Sequence, residues 1–260
     1  MVFPIRDDNT GRTITPFVNY ALIVANVLVF VLLQGIGSNN EFTYAFSTVP
    51  QEIATGTDID RPVVVRDPLS GDPLGSIDLQ PTPGSVYLTL LTSMFMHGGI
   101  MHLLGNMLFL WIFGDNIEDD LGHARYAAFY LTAGLLASLA HVVTTFAFGQ
   151  NPYIPSLGAS GAISGVMGAY LLLHPRRRVT VFLFRFLTEV PGMVAVGLWF
   201  VLQLISGLGL LGGGSQLGGV AYAAHIGGFV AGFALVKLFM IGRGRGGAGG
   251  AGPMITPRGF

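Results

Sequence analysis

Six runs of mostly apolar residues, at 17–35, 98–114, 126–148, 158–174, 190–210 and 219–240, set the terms for this chain. A helix needs about 20 apolar residues to cross a bilayer, so each run reads as a span. Composition agrees. Hydrophobic residues make up 51% of the 260 and charged residues only 10%, against about a quarter in soluble domains. The 38 glycines suit membrane helices too. With no cysteine, disulfide scaffolds, cysteine-based zinc sites and thiol catalysis are excluded. The expected fold class is an all-α membrane protein, a six-transmembrane-helix bundle with a long outer loop between helices 1 and 2.

The start, MVFPIRDDNTGRTITPF, lacks the basic-then-apolar layout of a cleaved signal peptide, so the first run reads as a retained span. Three segments follow: a cytoplasmic N-terminal stretch 1–16, a six-span domain 17–240, and a Gly-rich tail 241–260 expected to be disordered. The outer loop, 37–93, is rich in Pro, Gly, Asp and Thr and leads into an amphipathic stretch, Val86 to Met96. Lysine and arginine fix the orientation. With the N-terminus inside, eleven lie on the cytoplasmic side and only Arg61 and Arg66 outside. The expected location is the cell membrane of a prokaryote, with both termini cytoplasmic and the site opening outward.

Polar side chains inside a span are costly, which marks them as functional candidates. His102 and Asn106 lie on span two, Ser160 and Ser164 on span four, and His225 on span six. His102 precedes Asp115 by thirteen residues, Ser160 precedes Pro175 by fifteen, and His225 precedes Lys237 by twelve. At 1.5 Å per residue all three stand roughly 18–23 Å above the inner boundary, in one layer. His102 and Asn106, four apart, share a helix face. A serine beside a neutral histidine can be activated as a nucleophile. His102, the Asn106 amide and the Ser160 backbone N–H can supply donors to an oxyanion. Gly161/Gly165 and Ser164/Gly168 on span four, and Ala224, Gly228 and Gly232 on span six, are small-residue faces that allow two backbones to approach closely. Ser160 to Leu173 covers only about 21 Å, so the preceding NPYIPSLG must dip into the membrane as an irregular loop lining protein or water.

HGGIMHLLGNMLFLWIFGDNIED (97–119), GASGAISGVMGAY (158–170) and AHIGGFVAG (224–232), in this order on alternating spans, make the chain resemble the rhomboid intramembrane serine proteases. The resemblance implies a rhomboid-type bundle over 17–240, with Ser160 as nucleophile and His225 as general base in a dyad with no acidic member. It implies an oxyanion hole at His102 and Asn106, with Gly158, Gly161, Ser164, Gly165, Gly228 and Gly232 as supporting residues. Substrates would be single-span or multi-span membrane proteins met within the lipid bilayer, with no metal, cofactor or nucleic acid. Two departures stand out. Ser164 occupies the place where some members carry a tyrosine that stacks on the catalytic histidine, and the first loop lacks a Trp-Arg pair found in some relatives.

Each residue also has a plainer reading. Ser160 alone is a packing residue, His225 a hydrogen-bonded core histidine, and His102 with Asn106 helix-bridging glue. His97 is off the His102 face and caps the span or lines the pocket mouth. His141 reads as core, and His123 and His174 as inner-boundary residues. Asp115, Glu118, Asp119 and Asp120 read as a helix end or a solvated face. The soluble elbow G-x-S-x-G does not fit, since position 162 is Ala. A rhomboid-like protein that binds helices without cutting them is the alternative function. A cation transporter using His102, His141 and His225 would want carboxylates at the midplane, and the spans hold none there. Substrate entry is expected at span five or at the glycine-rich run before span six.

Overall fold

The computed structural model describes residues 2–66, 70–183, 186–207 and 222–242. Most of the glycine-rich run before span six and nearly all of the tail lie outside them. In chain order the elements are strand β1 (Val2–Asp7), helix α1 (Phe17–Leu28), continued by a π-turn to Leu33, short helices α2 (Asn40–Ala45) and α3 (Pro50–Thr55), and strands β2 (Pro62–Arg66) and β3 (Pro73–Asp78). Then come α4 (Thr89–Thr92), flanked by 3₁₀ turns, α5 (Ile100–Leu121), α6 (His123–Ala147), α7 (Ser160–Leu173), strands β4 (Arg178–Leu183) and β5 (Phe186–Pro191), α8 (Gly192–Gly207) and α9 (Tyr222–Phe239). Among the described residues α5, α6 and α9 are long and apolar enough to cross a membrane. Phe17–Leu33, Ser160–Leu173 and Gly192–Gly207 are shorter apolar helices.

The small-residue faces hold the centre together. A Cβ on Gly161 would meet Ala137 of α6 at 2.7 Å, and one on Gly165 would meet Ala133 at 2.5 Å and the Gly228 carbonyl at 3.2 Å. A Cβ on Gly228 would strike the Gly161 carbonyl, and one on Gly232 the Gly165 backbone. Helix α7 is therefore wedged between α6 and α9 at backbone contact, the packing that membrane helices reach where lipid gives no hydrophobic drive.

The all-α expectation needs correcting, because the chain also carries strands. β1, β4 and β5 form an antiparallel sheet in that order, and β2 pairs with β3. Val179 and Val181 are fully buried while Thr180 and Phe182, which alternate with them, are not, the period of two that makes a strand. The outer loop is likewise not a bare connection. Thr48 and Ser156 exchange backbone hydrogen bonds at 3.0 and 2.7 Å, and the Thr48 hydroxyl reaches the Thr89 carbonyl at 2.8 Å. That bridge props the irregular approach to α7.

The acidic cluster on α5 is a helix end, as one of its readings had it, but not a solvated face. Glu118 is fully buried and accepts the free N–H groups of Val18 and Asn19 at the start of α1, at 2.9 and 2.7 Å. Asp115 pairs with Arg12 at 2.5 Å, and Asp120 meets His174 at 2.6 Å. Arg12 thus ties the N-terminal segment to α5, Glu118 ties α1 to it, and Asp120 joins the ends of α5 and α7.

Asp7 sits in the same knot, accepting from the Tyr170 hydroxyl at 3.0 Å and from the Asn116 amide. Burial first, and the nearby Asp115 carboxylate second, push its carboxyl from 3.8 up to about 7, against the opposing Tyr170 and Arg177. A raised folded-state value means the folded chain holds this proton more tightly than the unfolded one. The stability it contributes is full below about pH 4 and is lost as pH rises through about 7. Amides of β1 should therefore exchange faster, relative to their intrinsic rates, at about pH 8 than at about pH 5. Asp7→Asn should abolish the difference; equal protection in the wild type would count against it.

Candidate active site

Ser160 opens α7, and the chain reaches it through Gly158, whose φ of +120° is strained for any residue with a side chain. Gly158 is also needed for space. A Cβ there would lie 2.9 Å from His102 Nε2 and 3.6 Å from Ser160 Oγ. The expected serine and the expected oxyanion histidine thus border one spot that only glycine leaves open.

Backbone contact between α7 and α9 brings Ser160 Oγ to 2.7 Å from His225 Nε2. The other ring nitrogen, Nδ1, meets Gln203 Oε1 of α8 at 2.8 Å. Trp199, one turn earlier on α8, faces the imidazole with ring centroids 6.0 Å apart and planes at 35°. Tyr222 stands edge-on at 6.4 Å. The histidine is therefore held by α8, and Ser164 takes no part: its hydroxyl turns back to the Ser160 carbonyl at 2.6 Å. Sequence reasoning missed Gln203 and Trp199. A glutamine inside the apolar run LWFVLQLISG was the available signal.

On α5, His102 is exposed at the rim of the site and Asn106, one turn on, is buried. His102 Nδ1 accepts the Gly98 N–H at 3.3 Å, which leaves the proton on Nε2, the nitrogen beside Gly158. Asn106 Nδ2 is buried with no partner, a donor still to be used. His97 is fully buried, its ring edge-on to His102 at 5.2 Å, and its backbone N–H and carbonyl both bond the Gln34 amide at 2.9 Å. His141, read as core, lies on α6 with Nδ1 unpartnered. A cavity of about 20 Å³ touches Ser160 and is lined also by Ser93, Ser138 and Ser156. That is room for one water among polar groups. Among the described residues no three His, Cys, Asp or Glu side chains gather as a metal site. The chemistry this arrangement allows is proton transfer from a serine to a histidine, with donors nearby for an oxyanion.

Residues 84–241 match the Rhomboid domain. The chain is 34% identical over 152 residues to RHOMBOID-like protein 12, mitochondrial, of Arabidopsis thaliana, covering 52% of this chain and 44% of that protein. It is 32% identical over 145 residues to Rhomboid protein 1, mitochondrial, of Saccharomyces cerevisiae, covering 56% and 40%. To the Rhomboid protease GluP of Bacillus subtilis it is 35% identical over 144 residues, covering 55% and 24%. The chain thus spans less than half the length of these curated relatives. Two of the three are named as mitochondrial proteins, and this overturns the expected prokaryotic cell membrane. The domain match takes in His97, His102, Asn106, Ser160, Gln203 and His225, and with it the chain belongs to the rhomboid family.

Proposed function

We propose that this rhomboid-family protein is an intramembrane serine endopeptidase that cuts peptide bonds in or near the transmembrane helices of other membrane proteins. The observation that carries the reading is the 2.7 Å contact between Ser160 Oγ and His225 Nε2. Ser160 Oγ attacks the scissile carbonyl carbon while its proton passes to His225 Nε2. His225 then gives that proton to the leaving amine, and water hydrolyses the acyl-enzyme by the same route in reverse. His102 Nε2–H, Asn106 Nδ2–H and the Ser160 N–H are the proposed donors to the oxyanion. No metal or cofactor takes part. Phe17–Leu33, Ser160–Leu173 and Gly192–Gly207 join α5, α6 and α9 as the six proposed spans, and the bilayer is proposed to be mitochondrial.

The relative called a rhomboid protease, GluP, supports the catalytic reading. The test is to reconstitute the chain in vesicles with single-span substrates and map the products. New termini within or beside the spanning segment are expected. Binding of the substrate helix without any cut, across the panel, would favour a helix-binding rhomboid-like protein instead. His102→Ala and Asn106→Ala should each lower kcat about 10²–10³-fold with little change in KM, the size of a lost oxyanion donor. A change confined to KM would remove them from that role.

A further inference from the structure

A serine can give its proton to an imidazole only if the facing nitrogen carries a lone pair. In a neutral imidazole the other nitrogen must then hold the hydrogen and needs an acceptor. Here the nitrogen facing Ser160 Oγ is Nε2, so the hydrogen belongs on Nδ1. The sequences of α7, α8 and α9 contain no aspartate or glutamate to accept it. Gln203 Oε1, at 2.8 Å, stands where a carboxylate would.

On the protease reading above, we propose that Gln203 is the positioning residue of this site. Its amide oxygen accepts the Nδ1–H of His225, fixes the tautomer and holds the ring toward Ser160. Trp199, four residues earlier on the same helix face, packs against the ring and limits its rotation. An amide suits this place physically. A carboxylate would stabilise the imidazolium more, but on this apolar, half-buried helix face it would itself be a charge, costly unless paired. A neutral acceptor gives the direction of the hydrogen bond and no buried charge. It also meets the departure noted at Ser164: the histidine is oriented from α8, not from its own neighbour on α7.

The test is the rate at which a fluorophosphonate labels Ser160 in the full chain in detergent. This reads serine activation without any need for substrate entry. Gln203→Met keeps the length and loses the acceptor, and should label about 100-fold more slowly, the usual cost of a misplaced catalytic group. Gln203→Glu restores an acceptor oxygen in the same place and should label within about tenfold of wild type. Gln203→Asn withdraws the oxygen by one carbon and should behave like the methionine variant. If Met labels as fast as wild type, or if Glu and Met fall together, the role is packing and the proposal is overturned. Nitrogen-15 shifts of labelled histidine give a readout on the unmodified protein: hydrogen on Nδ1 of His225 is expected, and hydrogen on Nε2 overturns it. If wild type labels at Ser160 and the Met variant equals it, only the Gln203 role fails. If wild type is inert at Ser160, the protease reading fails, and this role fails with it.

Discussion

Ser160→Ala should lower cleavage of a reconstituted transmembrane substrate on the order of 10⁶-fold, to background, while the protein keeps its fold. The loss is large because the serine is the proposed bond-forming atom, and Ser164, one turn on, is no substitute: its hydroxyl is turned back to the Ser160 carbonyl. The fold should survive because the change removes one hydroxyl and one hydrogen bond, about 1 kcal/mol. His225→Ala should cost about as much. The decisive measurement is the double variant. Two groups that act as one unit are not additive, so the double variant should be no worse than either single one. If the two losses multiplied, serine and histidine would be working independently. If Ser160→Ala cut at the wild-type rate, another residue would be the nucleophile.

The sequence makes Ser160, His225 and His102 findable by arithmetic. A helix rises a fixed distance per residue, so depth can be counted from each helix's own charged end. The glycine faces were legible for a related reason, since small residues at every fourth position on two spans have few uses beyond close approach. The sheet was harder to see. VTVFL is as apolar as a span, and its pairing with residues 2–7 depends on a partner some 175 residues away, which no local pattern reveals. The buried acids show the same limit. Glu118 reads as a solvated charge until α1 is laid against it and offers its unpaired N–H groups. Gln203 is different, because its signal was present. It is a polar side chain in an apolar helix, the same criterion that picks out Ser160 and His225. Asn19 and Asn26, fully buried on α1, are of the same kind. Asn19 bonds the Leu110 carbonyl and the Tyr126 hydroxyl, joining α1, α5 and α6.

Gly228→Ala should reduce activity at least about 100-fold, and Gly232→Ala should lower the melting temperature as well. On intrinsic preference alone each change should help, because alanine is favoured over glycine in a helix by about 1 kcal/mol. Contact geometry decides against that. The new methyl on residue 228 would overlap the carbonyl of Gly161, next to the nucleophile, and one on residue 232 would overlap the carbonyl, carbon and Cα of Gly165. These are backbone atoms inside a helix, so they cannot swing aside as a side chain would. The helices must separate, at a cost of about 1–3 kcal/mol or more for overpacking. Separation near residue 228 acts directly on the 2.7 Å contact between Ser160 and His225, and a shift of about 1 Å there costs about 10²-fold. Gly197→Ala on α8 is the matched control, with nothing within 4 Å of its new methyl, and it should be neutral or slightly stabilising. Turnover and melting temperature of the three variants, measured side by side, separate the two effects. Equal behaviour of all three would mean that α7 and α9 do not meet at these glycines. A loss at 228 and 232 with none at 197 would tie the activity to how closely those two backbones approach.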